Sequence, residues 1–186
     1  DWLNGKYIRE NLDDERFIEA FSKWAFNPEV VARIVPLIKD RVERFSDVVP
    51  LAGFFLSGIV PLAAESFKHN KLTEEDCRRV LQHTVWQLEA LESWQRNDIE
   101  ALCHRLADFM QLKIRDYLFP LFVAVSGKAV STSVIDSMAI LGLDIVRARF
   151  RYALSVLGGV SKKESKIFER EAREIPEFIR AEHTSD

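Results

Sequence analysis

The chain has 186 residues, 47% of them hydrophobic and 30% charged, a balance that fits a folded protein with one large or two small cores and excludes a disordered chain. A formal net charge of −3, with a pI near 5.9, argues mildly against a protein that binds nucleic acid by bulk charge, since phosphate contact ordinarily needs a basic excess. Distribution matters more than the sum: residues 113–151 hold six Lys and Arg against three Asp and Glu, the one stretch where cations lead.

In chain order, Asp13, Asp14 and Glu15 put negative charge at a helix start, where the macrodipole favours it. Phe17, Ile18, Phe21, Trp24 and Ala25 then recur at helical spacing. Asn27-Pro28 reads as a cap followed by proline at the first helical position, and Val30, Val31, Ile34, Leu37 and Ile38 continue a second helix that Pro36 kinks. Asp40 to Asp47 is a charged corner. The apolar run Val48 to Leu62 is broken by Pro50, Gly53, Gly58 and Pro61, which predicts short, buried, irregular helical pieces.

Thr73-Glu74-Glu75-Asp76 has the form of an N-cap with an acidic first turn, with Val80, Leu81, Thr84, Val85, Leu88 and Leu91 as its apolar stripe. Asn97-Asp98 is expected to cap the next helix, which carries Ile99, Leu102, Cys103, Leu106, Phe109 and Met110 inward. An apolar approach from Leu118 to Val125, interrupted by Pro120, leads into a polar loop from Ser126 to Ser133. A helix from Val134 to Gly142 follows. Proline and glycine are read as punctuating both ends of this unit, which holds the loop between anchored segments.

A further helix from Asp144 turns Val146, Phe150, Ala153, Leu154 and Leu157 inward and stops at Gly158-Gly159. Ser161 and Glu164 have capping-box spacing, and the charged tail 162–186 is expected to be a solvated helix that frays. No alternating strand pattern competes. The expected fold is all-α: two consecutive helical-bundle subdomains, residues 1–72 and 73–160, then a charged C-terminal helix over 161–186.

Cys77 and Cys103 show no C-x-x-C spacing, and His69, His83, His104 and His183 form no ligand-spaced pair, so neither a disulfide framework nor a metal site is expected. No nucleophile, base and orienter stand at usable spacing, so no catalytic residue is assigned. No apolar run approaches the roughly 18 residues that span a bilayer, and no signal peptide opens the chain, so a cytoplasmic protein is expected. The chain opens on Asp1-Trp2-Leu3 without methionine, which is read as a piece of something longer.

Four stretches in order carry a resemblance. They are Asp1 to Arg9 (DWLNGKYIR), Val35 to Val42 (VPLIKDRV), Leu51 to Phe55 (LAGFF) and Pro120 to Gly142. Together they resemble bacterial glutamyl-tRNA synthetases, over almost the whole chain, in the region that follows the catalytic and stem-contact domains. The resemblance implies a helical anticodon-binding region whose partner is the anticodon loop of tRNA(Glu). It implies a monomeric parent enzyme that activates glutamate with ATP and Mg²⁺ and transfers it to tRNA, without DNA or membrane as partner. The family's ATP-handling signatures, His-x-Gly-His and Lys-Met-Ser-Lys-Ser, do not occur in this chain, so no cofactor is expected in this portion.

By that resemblance Arg41 aligns with the family's arginine in the motif Arg-aliphatic-charged-x-x-Ser-acidic and is expected to read the third anticodon base, with Arg44 able to exchange roles. Without it, Arg41 reads as a surface residue paired to Asp40, Glu43 or Asp47. Ser131, Thr132, Ser133 and Val134 match the loop that packs on the first two anticodon bases, although Ser131 or Ser133 would serve equally as an ordinary helix cap. Lys128, Arg147 and Arg151 are candidate phosphate contacts or solvated cations. Many relatives place an arginine after Pro-Leu where this chain has Phe122, so that arginine's hydrogen bonds do not carry over. Trp2, Trp24, Trp86 and Trp94 are stacking candidates that also fall near apolar stripes. The alternative function is a helical adaptor or regulatory domain for a protein partner, which a basic cleft around Lys128, Arg147 and Arg41 would count against.

Overall fold

The computed structural model describes residues 2–129 and 131–182, with side chains from 4 to 129 and from 131 to 176. The side chain of Trp2, Val130 of the polar loop, and His183 with the end of the tail lie outside the described residues. Among the described residues ten α-helices follow one another: α1 Trp2–Asn11, α2 Asp14–Ala25, α3 Pro28–Ile38, α4 Val48–Ala52, α5 Glu74–Glu89, α6 Arg96–Phe109, α7 Ile114–Ser126, α8 Val134–Leu141, α9 Leu143–Val156 and α10 Lys162–Glu182. Short 3₁₀ turns occupy Lys39–Arg41, Phe45–Asp47, Gly53–Leu56 and Ala64–Phe67. The described residues contain no strand and no helix long and apolar enough to cross a membrane.

Local capping chemistry sets several helix starts. The Asp13 carboxylate accepts the Arg16 amide at 2.9 Å, and the Asn27 side chain accepts the Glu29 amide at 3.0 Å ahead of Pro28. Thr73 and Asp76 form a reciprocal capping box: the Asp76 amide donates to Thr73 Oγ1 at 3.1 Å and the Thr73 amide to Asp76 Oδ2 at 2.8 Å. Ser133 caps α8 by accepting the Asp136 amide at 3.3 Å.

Helices α5, α6, α7, α8 and α9 enclose the main core, with α5 and α9 packed most extensively. Val80, Leu81, Leu106, Tyr117, Leu121, Met138 and Phe150 are fully sealed there. Phe54, Val60, Phe67 and Leu72 join it from the first part of the chain. A smaller cluster of Ile34, Ile38 and Ala52 sits where α3 meets α4. Between the two, the Arg33 guanidinium donates to the Ala139 carbonyl at 2.8 Å, tying α3 to the end of α8.

Four expectations need correction. Helix α6 starts at Arg96 with Gln95 as its cap residue, because the Asp98 carboxylate takes the Ser93 hydroxyl and Arg96 is braced by Glu100 and Asp136. Pro120 lies inside α7 and does not stop it; it leaves the Asp116 carbonyl without its usual intrahelical donor, a local cost that the buried packing of Tyr117, Leu121, Val123 and Ala124 outweighs. The charged tail helix α10 is docked, with Phe168 and Ile175 buried and Glu164 held by Arg78. The run Val48 to Leu62 forms the expected short helical pieces, but Val49, Leu56 and Ile59 are exposed.

The apolar stripe of α2 also departs from a core face. Ala25 is buried, whereas Phe17, Ile18, Phe21 and Trp24 are exposed, with Phe17 and Phe21 stacked on one another at 6.3 Å between ring centroids. Helical period identifies an apolar face; it does not supply the surface that covers it.

Candidate nucleic-acid interface

Two segments far apart in sequence come together. The corner 39–50 contains two 3₁₀ turns and the start of α4, and the loop 127–133 joins α7 to α8. They meet directly where Lys128 Nζ donates to the Pro50 carbonyl at 2.6 Å. A cleft between them is lined by Val49, Pro50, Gly53, Val60, Gly127 and Lys128.

The corner is shaped by Asp47. Its Oδ2 accepts the amides of Glu43 at 3.1 Å and Arg44 at 2.8 Å, and its own amide donates to the Arg44 carbonyl at 2.9 Å. The carboxylate therefore braces the backbone and leaves the nearby guanidinium groups alone. Arg41 and Arg44 are both exposed, and among the described residues neither forms an ion pair with Asp40, Glu43 or Asp47. Each guanidinium keeps its five donors available to a ligand.

The loop is braced just as locally. Gly127 ends α7 with φ at +75° and donates its amide to the Val123 carbonyl at 2.8 Å, and a Cβ there would lie 3.3 Å from the Pro61 carbonyl oxygen. Left-handed backbone and close approach both favour glycine. Ser126 Oγ donates to the Phe122 carbonyl at 2.9 Å and accepts the Lys128 amide at 3.3 Å. Further along, Thr132 Oγ1 and Ser137 Oγ share a buried hydrogen bond of 2.9 Å, and Val134 is sealed in the core. Of the four residues singled out here by sequence, Ser131 and Ser133 reach solvent, while Thr132 in the loop and Val134 at the start of α8 point their side chains inward and hold the loop.

Arg147 and Arg151 lie together on α9 but carry acidic partners. Arg151 reaches Glu89 at 2.7 Å, and Arg147 pairs with Asp144 at 2.8 Å and approaches Glu89 at 3.8 Å. Phe122 is partly buried against the main core and forms a wall of a second cleft with His69, Arg115, Phe119, Ala129 and Ser131. There the His69 and Phe119 rings lie 4.6 Å apart, and Asp116 is bound by Lys71 at 3.1 Å. Trp94 donates to the Met138 carbonyl at 3.1 Å, Trp86 stands edge-on to His83, and Trp24 is exposed.

The residues that sequence reasoning missed are structural and aromatic. Arg149, fully buried, donates to the carbonyls of Gly58, Phe54, Ser57 and Val125; its place on the Val146, Phe150 and Ala153 stripe was the available signal. Phe45, on the turn after Arg44, is 94% exposed. Cys77 and Cys103 are buried, and burial pushes both thiols up to about 12, so they stay protonated and unreactive at neutral pH. The described residues include no group of His, Cys, Asp or Glu placed to hold a metal ion.

The arrangement is that of an all-α protein presenting exposed, unpaired guanidinium groups on a corner that touches a capped, hydroxyl-bearing loop through Lys128 and Pro50, suited to a polar, anionic partner. Residues 16–154 match the family model of the anticodon binding domain, and the chain belongs to that family. It is 51% identical over 174 residues to a glutamate–tRNA ligase of Marinomonas sp. (strain MWYL1), covering 94% of this chain and 35% of that relative. A glutamate–tRNA ligase of Marinobacter nauticus is 50% identical over 170 residues, 91% of this chain and 34% of the relative. One from Pseudomonas aeruginosa (strain UCBPP-PA14) is 47% identical over 175 residues, 94% of this chain and 35% of the relative. The chain thus spans about a third of the length of the curated relatives it matches.

Proposed function

We propose that this chain is the anticodon-reading part of a glutamate–tRNA ligase and binds the anticodon loop of tRNA(Glu), so that a catalytic part elsewhere can join glutamate to the tRNA with ATP and Mg²⁺. The supporting observation is the unpaired Arg41 guanidinium on a corner braced by Asp47, in a chain of the anticodon binding domain family. Single-stranded loop bases are splayed out, stacked and hydrogen-bonded along their exposed edges. Along its Watson–Crick edge cytosine offers acceptors at O2 and N3, whereas guanine presents N1–H and N2–H₂ donors at the matching positions. A guanidinium, which has donors only, accepts the first and repels the second. Stranding a donor against guanine costs about 1–3 kcal/mol.

Arg44 stands beside Arg41 as a second reader or a phosphate contact. Ser131 and Ser133 meet the first two anticodon bases, with Thr132 and Val134 fixing the backbone that does so. Lys128 serves as a phosphate contact at the junction with α4. Arg147 and Arg151, held by Glu89, are weaker candidates for that role. ATP and Mg²⁺ belong to the part of the relatives outside the matched third, and the working protein is a cytoplasmic monomer. The helical-adaptor reading is not favoured, because it leaves the unpaired cations of the corner without a purpose.

The test is a titration with two anticodon stem-loops, one ending its anticodon in cytosine and one in guanine, repeated with Arg41→Ala. A cytosine preference that vanishes in the variant is the expected result. Equal binding of both loops by the wild type would remove Arg41 as the reader, and binding of neither at low salt would return the adaptor reading.

A further inference from the structure

An aromatic side chain at 94% exposure is costly to display, because its apolar surface stays in water. Phe45 is nevertheless held out on a rigid support. The Asp47 carboxylate ties the amides of Glu43 and Arg44, the Asp47 amide closes onto the Arg44 carbonyl at 2.9 Å, and α4 begins immediately afterwards at Val48. One turn on, Val49 is 73% exposed and lines the cleft that Gly127 and Lys128 close from the other side. Phe45 and Val49 are thus two exposed apolar side chains four residues apart, on the stretch of chain that leads from Arg41 and Arg44 to the cleft at the α7–α8 loop.

We propose that the Phe45 ring is a stacking platform for an unpaired base of the anticodon loop, the base adjacent to the one that Arg41 reads. This rests on the anticodon reading given above. The surroundings favour a nucleic-acid base over a protein side chain. A protein hot spot sits at the centre of a desolvated apolar patch, but Arg44, Glu43 and Ser46 beside Phe45 are exposed polar residues. Two exposed arginines free of carboxylate partners among the described residues, Arg41 and Arg44, precede Phe45 within four residues on the same corner, which suits a strand that carries a phosphate between successive bases. Any base has a π-face that an aromatic ring can accept, so the platform adds affinity and orientation while Arg41 supplies the choice of base.

The experiment uses the chain as it stands and an anticodon stem-loop carrying 2-aminopurine in turn at each position flanking the third anticodon base. Wild type quenches the probe at one of the two positions. Phe45→Ala is expected to bind roughly 5- to 150-fold more weakly, the range that loss of one base–aromatic stack produces, and to lose that quench. Phe45→Trp is expected to restore both. Circular dichroism of the variants checks that the fold is kept.

If Phe45→Ala binds with wild-type affinity, or binds weakly with the quench intact, the platform is overturned while the anticodon reading stands. If wild type binds no stem-loop at low salt, the anticodon reading fails first and takes the platform with it. A concentration-dependent dimer in sedimentation that Phe45→Ala dissolves would assign the ring to a second copy of the chain and overturn the proposal.

Discussion

The Arg149 guanidinium, 0% exposed, donates to the Phe54 carbonyl at 2.6 Å, and it reaches three more carbonyls, of Gly58 at 2.8 Å and of Ser57 and Val125. One side chain of α9 thereby satisfies the end of the 3₁₀ turn at Gly53–Leu56, the segment after it, and the last turn of α7. Among the described residues no carboxylate pairs with it; burial lowers the arginine's pKa to about 10, which still leaves it charged at neutral pH. Its planar fork of donors can serve several acceptors that a lysine ammonium cannot match in direction.

Arg149→Met is expected to strand those buried acceptors and to cost about 3–5 kcal/mol of stability, each unmet group contributing about 1–3 kcal/mol before relaxation. Arg149→Lys is expected to lose less, yet still more than about 1 kcal/mol. Urea unfolding followed by circular dichroism measures both. Indistinguishable midpoints for Arg149→Lys and wild type would show that charge alone suffices there.

Gly127 governs the entry to the α7–α8 loop. Gly127→Ala forces a β-carbon onto a backbone at φ +75°, 3.3 Å from the Pro61 carbonyl oxygen. A left-handed alanine costs about 1–2 kcal/mol, and the contact adds to it. Thermal unfolding is expected to show that loss. Under conditions where the variant remains folded, stem-loop affinity should fall as well, because Lys128 and Ser131 follow on the displaced chain.

Much of this architecture can be read locally. The Thr73 and Asp76 box, Asn27 before Pro28, and α8 from Ser133 to Gly142 are caps and stops whose chemistry acts within a few residues. The exposed stripe of α2 was not readable, since period marks a face without naming its cover. Helix α10 was misread for a different reason: Glu164, Phe168, Glu171 and Ile175 fall on one helical face, but its acids suggested solvent, and Arg78, Arg79 and His83 that receive them lie on α5. Arg149 stood visibly on an inward stripe; its four acceptors come from two distant segments. For the candidate site, Arg41 was legible only through resemblance, and Phe45 became conspicuous only once its exposure was known.

The cations of the face make separable predictions in salt. Each phosphate contact to a single strand contributes a slope of about 0.7 in log affinity against log salt. Arg44→Ala is expected to lower the slope by about 0.7 while preserving preference for cytosine, and Lys128→Ala to do the same. Arg151→Ala should leave the slope unchanged, because that guanidinium holds Glu89 at 2.7 Å. A drop in slope for Arg151→Ala equal to that of Arg44→Ala would move the phosphate path onto α9.

The docking of α10 carries an acid-sensitive contact. Glu164 accepts the Ser161 amide at 2.7 Å and the Arg78 Nε and Nη2 groups at 2.8 and 2.6 Å. The Ser161 hydrogen bonds first, and then Arg78, hold its carboxyl down at about 2, from an ordinary 4.5. A carboxylate whose pKa is lower in the folded state contributes its stability in full above the ordinary value and loses it as pH falls from there toward the folded value. Glu164→Gln is therefore expected to be less stable than wild type at pH 7 by about 1–3 kcal/mol, the range for hydrogen bonds to a charged group. That gap should close between about pH 4.5 and 2. His83, whose pKa burial lowers and whose Nε2 lies 2.9 Å from Glu171, also destabilises the native state as it is forced to protonate in acid. Both proteins contain His83, so its effect cancels in their difference. Urea midpoints of the pair across pH 7 to 3, with Trp86 beside His83 as the fluorescent reporter, measure the gap; a difference that stays constant throughout would mean that Glu164 holds α10 by shape and not by charge.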